Sequence, residues 1–450
     1  MSAETVTESD GADNAPTPMV RPSWFADLGR IAAVVAATYV FFLVLGLVAG
    51  LNVDYIMSFL QRITFYGAVF AMGALALNLH WGYTGMFNIG VIGFMGVGVY
   101  AMSFVTASPD GSPAGLGLPI PVGILVGFLA ACLAGFVIAL PALRVRADYF
   151  AIITLGFSEI VRLLALSSSL RTLPGGYGTG GGSGISAPRT DSVVTWLQSK
   201  PVTGELVDAV VWAGVTLGGI PDSVMENYVY TGILIGIVIL IFLLLTRIAY
   251  SPFGRVLKAI REDELAARSL GKRTDRAKVV VFVLGCGLMG LAGMLWLGQR
   301  TLVNPNNVRP IWTFYIFVAL IVGGAGSNTG SVIGGFVFAA FVYDFPNYLG
   351  QVIESFRDVS TPSTIAAALG SSDPLAVFDY LVVGSIDDIR YIVLGVVLIV
   401  LMIKRPQGLF GNRKEIAAAV DLSRHDATAG GAESTDDAAT TGHSGGESDE

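Results

Sequence analysis

The chain has 450 residues, 53% hydrophobic and only 14% charged, with a formal net charge of −7 and a mean hydropathy of +0.67. A soluble globular domain carries roughly 25% charged residues. The apolar residues also come in runs, so the composition excludes an ordinary soluble domain and predicts an integral membrane protein embedded in a lipid bilayer. The acids concentrate in the tails, and no basic patch lies outside membrane-flanking loops, so no nucleic-acid partner is expected.

Residues 1–29 are polar and acidic and form an N-terminal tail. They lack the charged n-region of a secretory signal, and the apolar run that follows is of full span length. A transmembrane domain occupies residues 30–412. Ile31–Leu51 is the first span, long enough for a hydrocarbon core of about 30 Å. Asn52–Arg62 reads as a short polar turn, and Thr64–Leu79 and Ile89–Val105 as the next two spans, joined by His80-Trp81-Gly82-Tyr83-Thr84-Gly85. Pro119–Leu140 follows, then a turn marked by Arg144 and Arg146, then Tyr149–Leu166. A long outer loop, 167–227, contains the glycine-rich stretch 175–184.

Tyr228–Thr246 is the sixth span, and residues 247–278 form a charged loop holding nine of the 27 Lys and Arg. Val279–Leu297, Trp312–Val322, Ser331–Phe345 and Tyr391–Ile403 complete the count, the last ending in Lys404-Arg405-Pro406. About ten transmembrane helices put both termini on one side. With the N-terminus inside, Arg144 and Arg146, the charged loop, and Lys404, Arg405, Arg413 and Lys414 all fall inside, as the positive-inside rule requires. Both termini are therefore expected in the cytoplasm, with the protein in the plasma membrane. Residues 413–450 form a second acidic tail of disordered composition.

Read as one helix, the charged loop places Leu257, Ile260, Glu264, Ala267 and Gly271 on a single stripe. Ala267 and Gly271 flatten its far end, which suits a docking surface for another protein. In the first glycine run, Gly82, Gly85, Gly90, Gly93 and Gly96 permit either tight helix packing or a broken helix whose freed backbone faces a polar path. Asn88 favours the second reading, and Thr154 is a further candidate for the path. The second run, Gly323 to Gly335, echoes the first, as two related halves would. Glu159 and Arg162 are i,i+3 partners, forming either an intrahelical ion pair or a group on the solute route.

His80 reads as a cap on an interfacial turn, and Cys132 and Cys286 as buried core residues. No phosphate loop, metal cluster, nucleophile triad or paired catalytic carboxylates appear. No enzymatic activity or cofactor is expected. Energy for active work must come from a partner or an ion gradient.

The stretch Ser251–Gly271, with its core Arg261, Glu262, Glu264, Ala266, Ala267 and Gly271, resembles the cytoplasmic loop of the M-type permease subunit of branched-chain amino acid ABC transporters. Asp148-Tyr149-Phe150-Ala151 with Thr154-Leu155-Gly156 and Glu159, Gly323-Gly324-Ala325-Gly326-Ser327, and Lys404-Arg405-Pro406-Gln407-Gly408-Leu409 extend the resemblance over roughly residues 60–412. It implies a type II-like ABC importer permease, with this loop as the coupling helix. It further implies a second homologous permease, two ABC ATPase subunits that hydrolyse the ATP, and an extracellular substrate-binding protein. The run after Gly85 departs from the family pattern, with Met86, Asn88 and Gly90-Val91 where many members carry Gln, Ser and Gly-His. Related permeases carry urea or short-chain amides, and an ion-coupled secondary transporter is the alternative of another class.

Overall fold

The computed structural model describes residues 24–409, apart from 143, 144, 146, 189, 219–221, 357–361, 363, 372–374, 385, 406 and 407. The C-terminal tail, most of the N-terminal tail, Arg144 and Arg146 lie outside the described residues. In chain order the helices are α1 (Trp24–Val48), α2 (Val53–Leu77), α3 (Val91–Thr106), α4 (Ile120–Ala142), α5 (Ala147–Leu166) and the short α6 (Ser168–Arg171). Then come α7 (Thr190–Gln198), α8 (Pro201–Gly218), α9 (Asp222–Ala249), α10 (Pro252–Glu262), α11 (Glu264–Ser269) and α12 (Thr274–Leu297). The series ends with α13 (Ile311–Gly323), α14 (Asn328–Val337), α15 (Phe345–Phe356), α16 (Ile365–Leu369), α17 (Ala376–Asp379) and α18 (Ile386–Lys404). β1 (Ile185–Ser186) and β2 (Leu302–Val303) pair antiparallel, Ile185 opposite Val303.

Among the described residues, seven helical stretches are long and apolar enough to cross a membrane, and Val91–Thr106, Ile311–Gly323 and Arg390–Leu401 are shorter apolar helices. The protein is an all-α membrane protein. Helix α4 reverses the pattern of a soluble bundle. On α4 the buried positions are Gly123, Gly127, Ala131, Gly135, Ala139 and Ala142, spaced mostly by four residues. Leu125, Leu129, Leu133, Phe136, Val137 and Leu140 of the same helix point outward and are exposed. Small residues let helix backbones approach, and large apolar side chains suit lipid. α12 packs most extensively on α3 and α4, and the three helices meet at Gly98, Gly127 and Gly290. A Cβ on Gly98 would stand 2.7 Å from the Gly290 Cα.

Four sequence expectations change. Asn52–Arg62 is not a polar turn: Asn52 caps α2 by accepting from the Asp54 N–H at 3.1 Å, and residues 53–62 are helical. The polar residues there are accommodated by partners on other elements. Gln61 donates to Thr231 at 2.8 Å, and Arg62 pairs with the buried Asp344 at 2.7 Å. The 167–227 segment carries α7 and α8, pinned together by Gln198 donating to Asp208 at 2.9 Å. The span placed at Ser331–Phe345 begins at Asn328 and continues to Phe356, interrupted by a π-helical turn over Phe338–Tyr343. Cys286 is buried as expected, whereas Cys132 is only half-buried.

Candidate functional site: the charged loop and the helix break beneath it

The charged loop does not form one helix. Ser251 caps α10, accepting from the Gly254 N–H at 3.1 Å, with Pro252 in the first turn where its missing N–H costs nothing. At Asp263 the backbone turns extended, at φ −154° and ψ 108°. Its carboxylate accepts from the Ala266 N–H at 3.0 Å and so caps α11. Aspartate is a strong N-cap because its oxygen satisfies a donor that the first helical turn leaves free. Gly271, at φ +77°, then reverses the chain into α12, a left-handed conformation that favours glycine.

This break corrects the single stripe. Leu257, Ile260 and Ala267 are buried against the protein's own helices, not presented outward. Glu264 is held within the chain, its carboxylate taking Lys278 at 2.5 Å and Arg268 at 3.5 Å. The outward face carries Glu262, Ala266, Ser269 and Gly271, with two large apolar side chains, Leu265 at 73% and Leu270 at 79% exposure. Sequence periodicity missed both leucines because it assumed uninterrupted helix phase across Asp263.

The loop is hydrogen-bonded to the end of α2 through Arg261. Helix α2 ends in a π-helical turn, Asn78–Gly82, and the chain runs without helix from Gly85 to Gly90 before α3 begins. Arg261 donates from Nη1 to the Gly82 carbonyl at 2.6 Å, and from Nε and Nη2 to Glu262. Lys258 lies over the rings of Tyr83 and Tyr250, at 5.9 and 5.7 Å. Burial, with the Arg261 guanidinium nearby, holds the Lys258 ammonium below its ordinary pKa. Gly82 has no room for a side chain: a Cβ would collide with Asn78 and stand 2.6 Å from the Gly326 nitrogen. Gly85, at φ +73°, lies under the stem of Arg261.

Below the break, side chains from several helices replace the missing backbone bonds. Asn88 Oδ1 accepts from the Gly90 N–H at 2.8 Å, and Thr154 accepts from the Ile89 N–H at 3.0 Å. Thr313 serves Ile92 at 3.1 Å and Ser158 serves Gly93 at 3.2 Å. The first N–H groups of a helix have no intrahelical partner, and in an apolar interior each needs one. His80 is not an interfacial cap. It is fully buried, stacked on Phe282, with Nε2 3.1 Å from the Phe282 carbonyl. A carbonyl only accepts, so Nε2 donates and Nδ1 accepts from Asn88 Nδ2 at 3.1 Å. Asn88 is thereby engaged at both ends of its side-chain amide.

The second glycine run arrives at the same place. Asn78 Oδ1 accepts from the Gly326 N–H at 2.7 Å, and Asn78 Nδ2 donates to Asn328 Oδ1 at 3.1 Å. Asn328 Nδ2 donates in turn to Thr246 at 3.1 Å. Of the path candidates, Gly82, Gly85, Asn88, Gly90 and Thr154 gather around the break. Glu159 stands apart on α5, where Arg162 donates from Nε to its two oxygens at 2.9 and 3.0 Å and from Nη2 to Oε1 at 2.5 Å. Asn78 and Asn328 are residues that the sequence reading overlooks, and His80 is one that it places at the interface. Their signal in the sequence is a strongly polar side chain inside an apolar run, which must find a partner somewhere.

Comparison with known proteins identifies the family. Residues 59–402 match the family described as branched-chain amino acid transport system / permease component. The chain belongs to this family. The permease is 28% identical over 294 residues to the high-affinity branched-chain amino acid transport system permease protein LivM of Escherichia coli (strain K12). That alignment covers 62% of this chain and 63% of the relative. It is 30% identical over 261 residues to the LivM protein of Salmonella typhimurium (strain LT2), covering 58% and 57%. A probable LivM protein of Methanocaldococcus jannaschii is 25% identical over 303 residues, covering 61% and 78%. The permease thus spans about 60% of the length of the first two relatives. No solved structure matches it.

Proposed function

We propose that this permease is the membrane-spanning subunit of an ATP-driven importer for branched-chain or other neutral amino acids. Separate ATPase subunits grip the loop 247–278 in the cytoplasm, and a second, related permease and an extracellular binding protein complete the complex. The observation that carries this reading is the outward face of α11. Leu265 and Leu270 project from a charged loop, with Ala266 and Ser269 between them leaving the backbone accessible. Two isolated, highly exposed leucines on a polar turn suit insertion into a partner's cleft, where aliphatic anchors and close backbone approach contribute most. The same helix pair is tied through Arg261 to the break in α2, so force applied to the loop reaches the spans. The chain itself hydrolyses nothing in this reading. Type II-like architecture, with both termini cytoplasmic, is part of the same proposal.

The substrate rests on the family. The departures at Met86 and Asn88 bear on packing, since both side chains are buried, and do not favour urea or amides over amino acids. The test is purification of the tagged permease from its native membranes, followed by reconstitution with radiolabelled leucine. The expected outcome is co-purification of ATPase subunits and leucine uptake that requires ATP and survives ionophores. Uptake abolished by dissipating the ion gradient while ATP remains would assign the protein to ion-coupled transport instead.

A further inference from the structure

The hydrogen bonds around the helix break, joined by short stretches of backbone, run from Arg261 in the charged loop to Thr246, the residue before the loop begins. From α10, Arg261 bonds the Gly82 carbonyl at the end of α2. Asn78, one turn back on the same π-helical segment, holds the Gly326 N–H with its oxygen and Asn328 with its nitrogen. Asn328 opens α14 and bonds Thr246 in the last turn of α9, which runs directly into α10. Arg261 is also close to the second glycine run: a Cβ on Gly326 would stand 3.4 Å from Arg261 Nη1 and 3.6 Å from the Gly82 carbonyl.

We infer that Arg261 and Asn78 are the transmission residues of this permease: they convert displacement of the charged loop into concerted movement of the ends of α2 and α14. The inference rests on the proposed ATPase docking of the loop and adds the route by which docking would act. Three physical features support it. Asn78 and Asn328 are buried, so their mutual bond has no water to compete with it. The segments they hold are irregular: a π-helical turn that ends at Gly82, and a glycine turn with Gly324 at φ +106° and Gly326 at φ +91° before α14. Such segments absorb backbone rotation at lower cost than a continuous helix. Finally, Arg261 is the link that can be loaded from outside, because its other arm bonds Glu262, whose side chain is 52% exposed on the docking side.

The inference is tested on complexes purified through a tag on the permease, comparing the wild type with Arg261→Ala, Arg261→Lys, Asn78→Ala and the double variant Arg261→Ala/Asn78→Ala. The readouts are co-purifying ATPase, ATP hydrolysis, and labelled leucine moved per ATP. The expected result is retained ATPase and hydrolysis, with leucine per ATP down tenfold or more in Arg261→Ala. The double variant should be no worse than the weaker single variant, because both residues act in one chain of contacts. Arg261→Lys keeps the charge but lacks the planar guanidinium fork that reaches Gly82 and Glu262 from separate nitrogens, and is expected to lose coupling several-fold. Wild-type leucine per ATP in any assembled Arg261 variant would overturn the inference. So would loss of the ATPase from Arg261→Ala and Arg261→Lys alike, since that would make Arg261 a docking residue. Absence of ATPase from the wild-type complex would be a different failure, that of the proposed function.

Discussion

Asp344 shows how single polar residues constrain this molecule. Its side chain is 3% exposed, and it accepts from Arg62 Nε at 2.7 Å and from Asn347 at 3.0 Å. Arg62 is 41% exposed, so screening and water weaken the pair from its far side. Arg62→Leu would leave a buried carboxylate with one neutral donor, and should cost on the order of 2 kcal/mol. The double variant Arg62→Leu/Asp344→Asn should recover much of that loss, because no charge is then stranded. Thermal denaturation of the detergent-solubilised protein measures both, and equal losses in the two would show that the charge itself is not the issue. At this scale the sequence was partly legible. Glu159 and Arg162 could be paired from their spacing alone. Asn78 and Asn328 could not, because 250 residues separate them and no local rule says which polar groups will meet.

At the scale of the element, glycines decide how near two helices come. A Cβ on Gly98 would meet backbone atoms of Gly290, at 2.7 to 2.9 Å, which cannot give way as a side chain would. Gly98→Leu is expected to destabilise the protein by about 1–3 kcal/mol through overpacking. Gly236, on α9, is open by contrast: a Cβ there would meet nothing within 4 Å. Gly236→Ala should therefore be neutral or slightly stabilising, since alanine favours helix. Comparing the two melting temperatures distinguishes a packing role from a general intolerance of substitution. The charged loop teaches the complementary lesson. Its helical content was readable from periodicity, but its phase was not. Asp263 can sit inside a helix or cap a new one, and the burial of Ile260 and Ala267 on their own chain favours the capped form.

For the whole molecule, the proposed orientation makes a testable claim about which surfaces share a side. Ser199, exposed between α7 and α8, should lie outside, and Ser269, exposed on α11, should lie inside. In a background with Cys132 and Cys286 replaced by Ala, a membrane-impermeant maleimide should label Ser199→Cys in intact cells. Ser269→Cys should be labelled only after permeabilisation. Equal labelling of both in intact cells would overturn the orientation and, with it, cytoplasmic docking of the loop.

The sequence by itself determined the class of molecule, because low charge, long apolar runs and abundant glycine leave a chain few options other than helices in lipid. It also determined where charge must stay outside the bilayer, and its motifs pointed to the permease family. Only the tertiary structure decided that Asn52–Arg62 belongs to a span, that His80 is a core residue, and that both glycine runs converge beneath Arg261. The reason is that an apolar run is recognised one residue at a time, whereas a polar group in an apolar interior is stable only against a partner. That partner is chosen by how the helices pack, and the packing brings Asn78 to Asn328 and Arg62 to Asp344 from opposite ends of the chain.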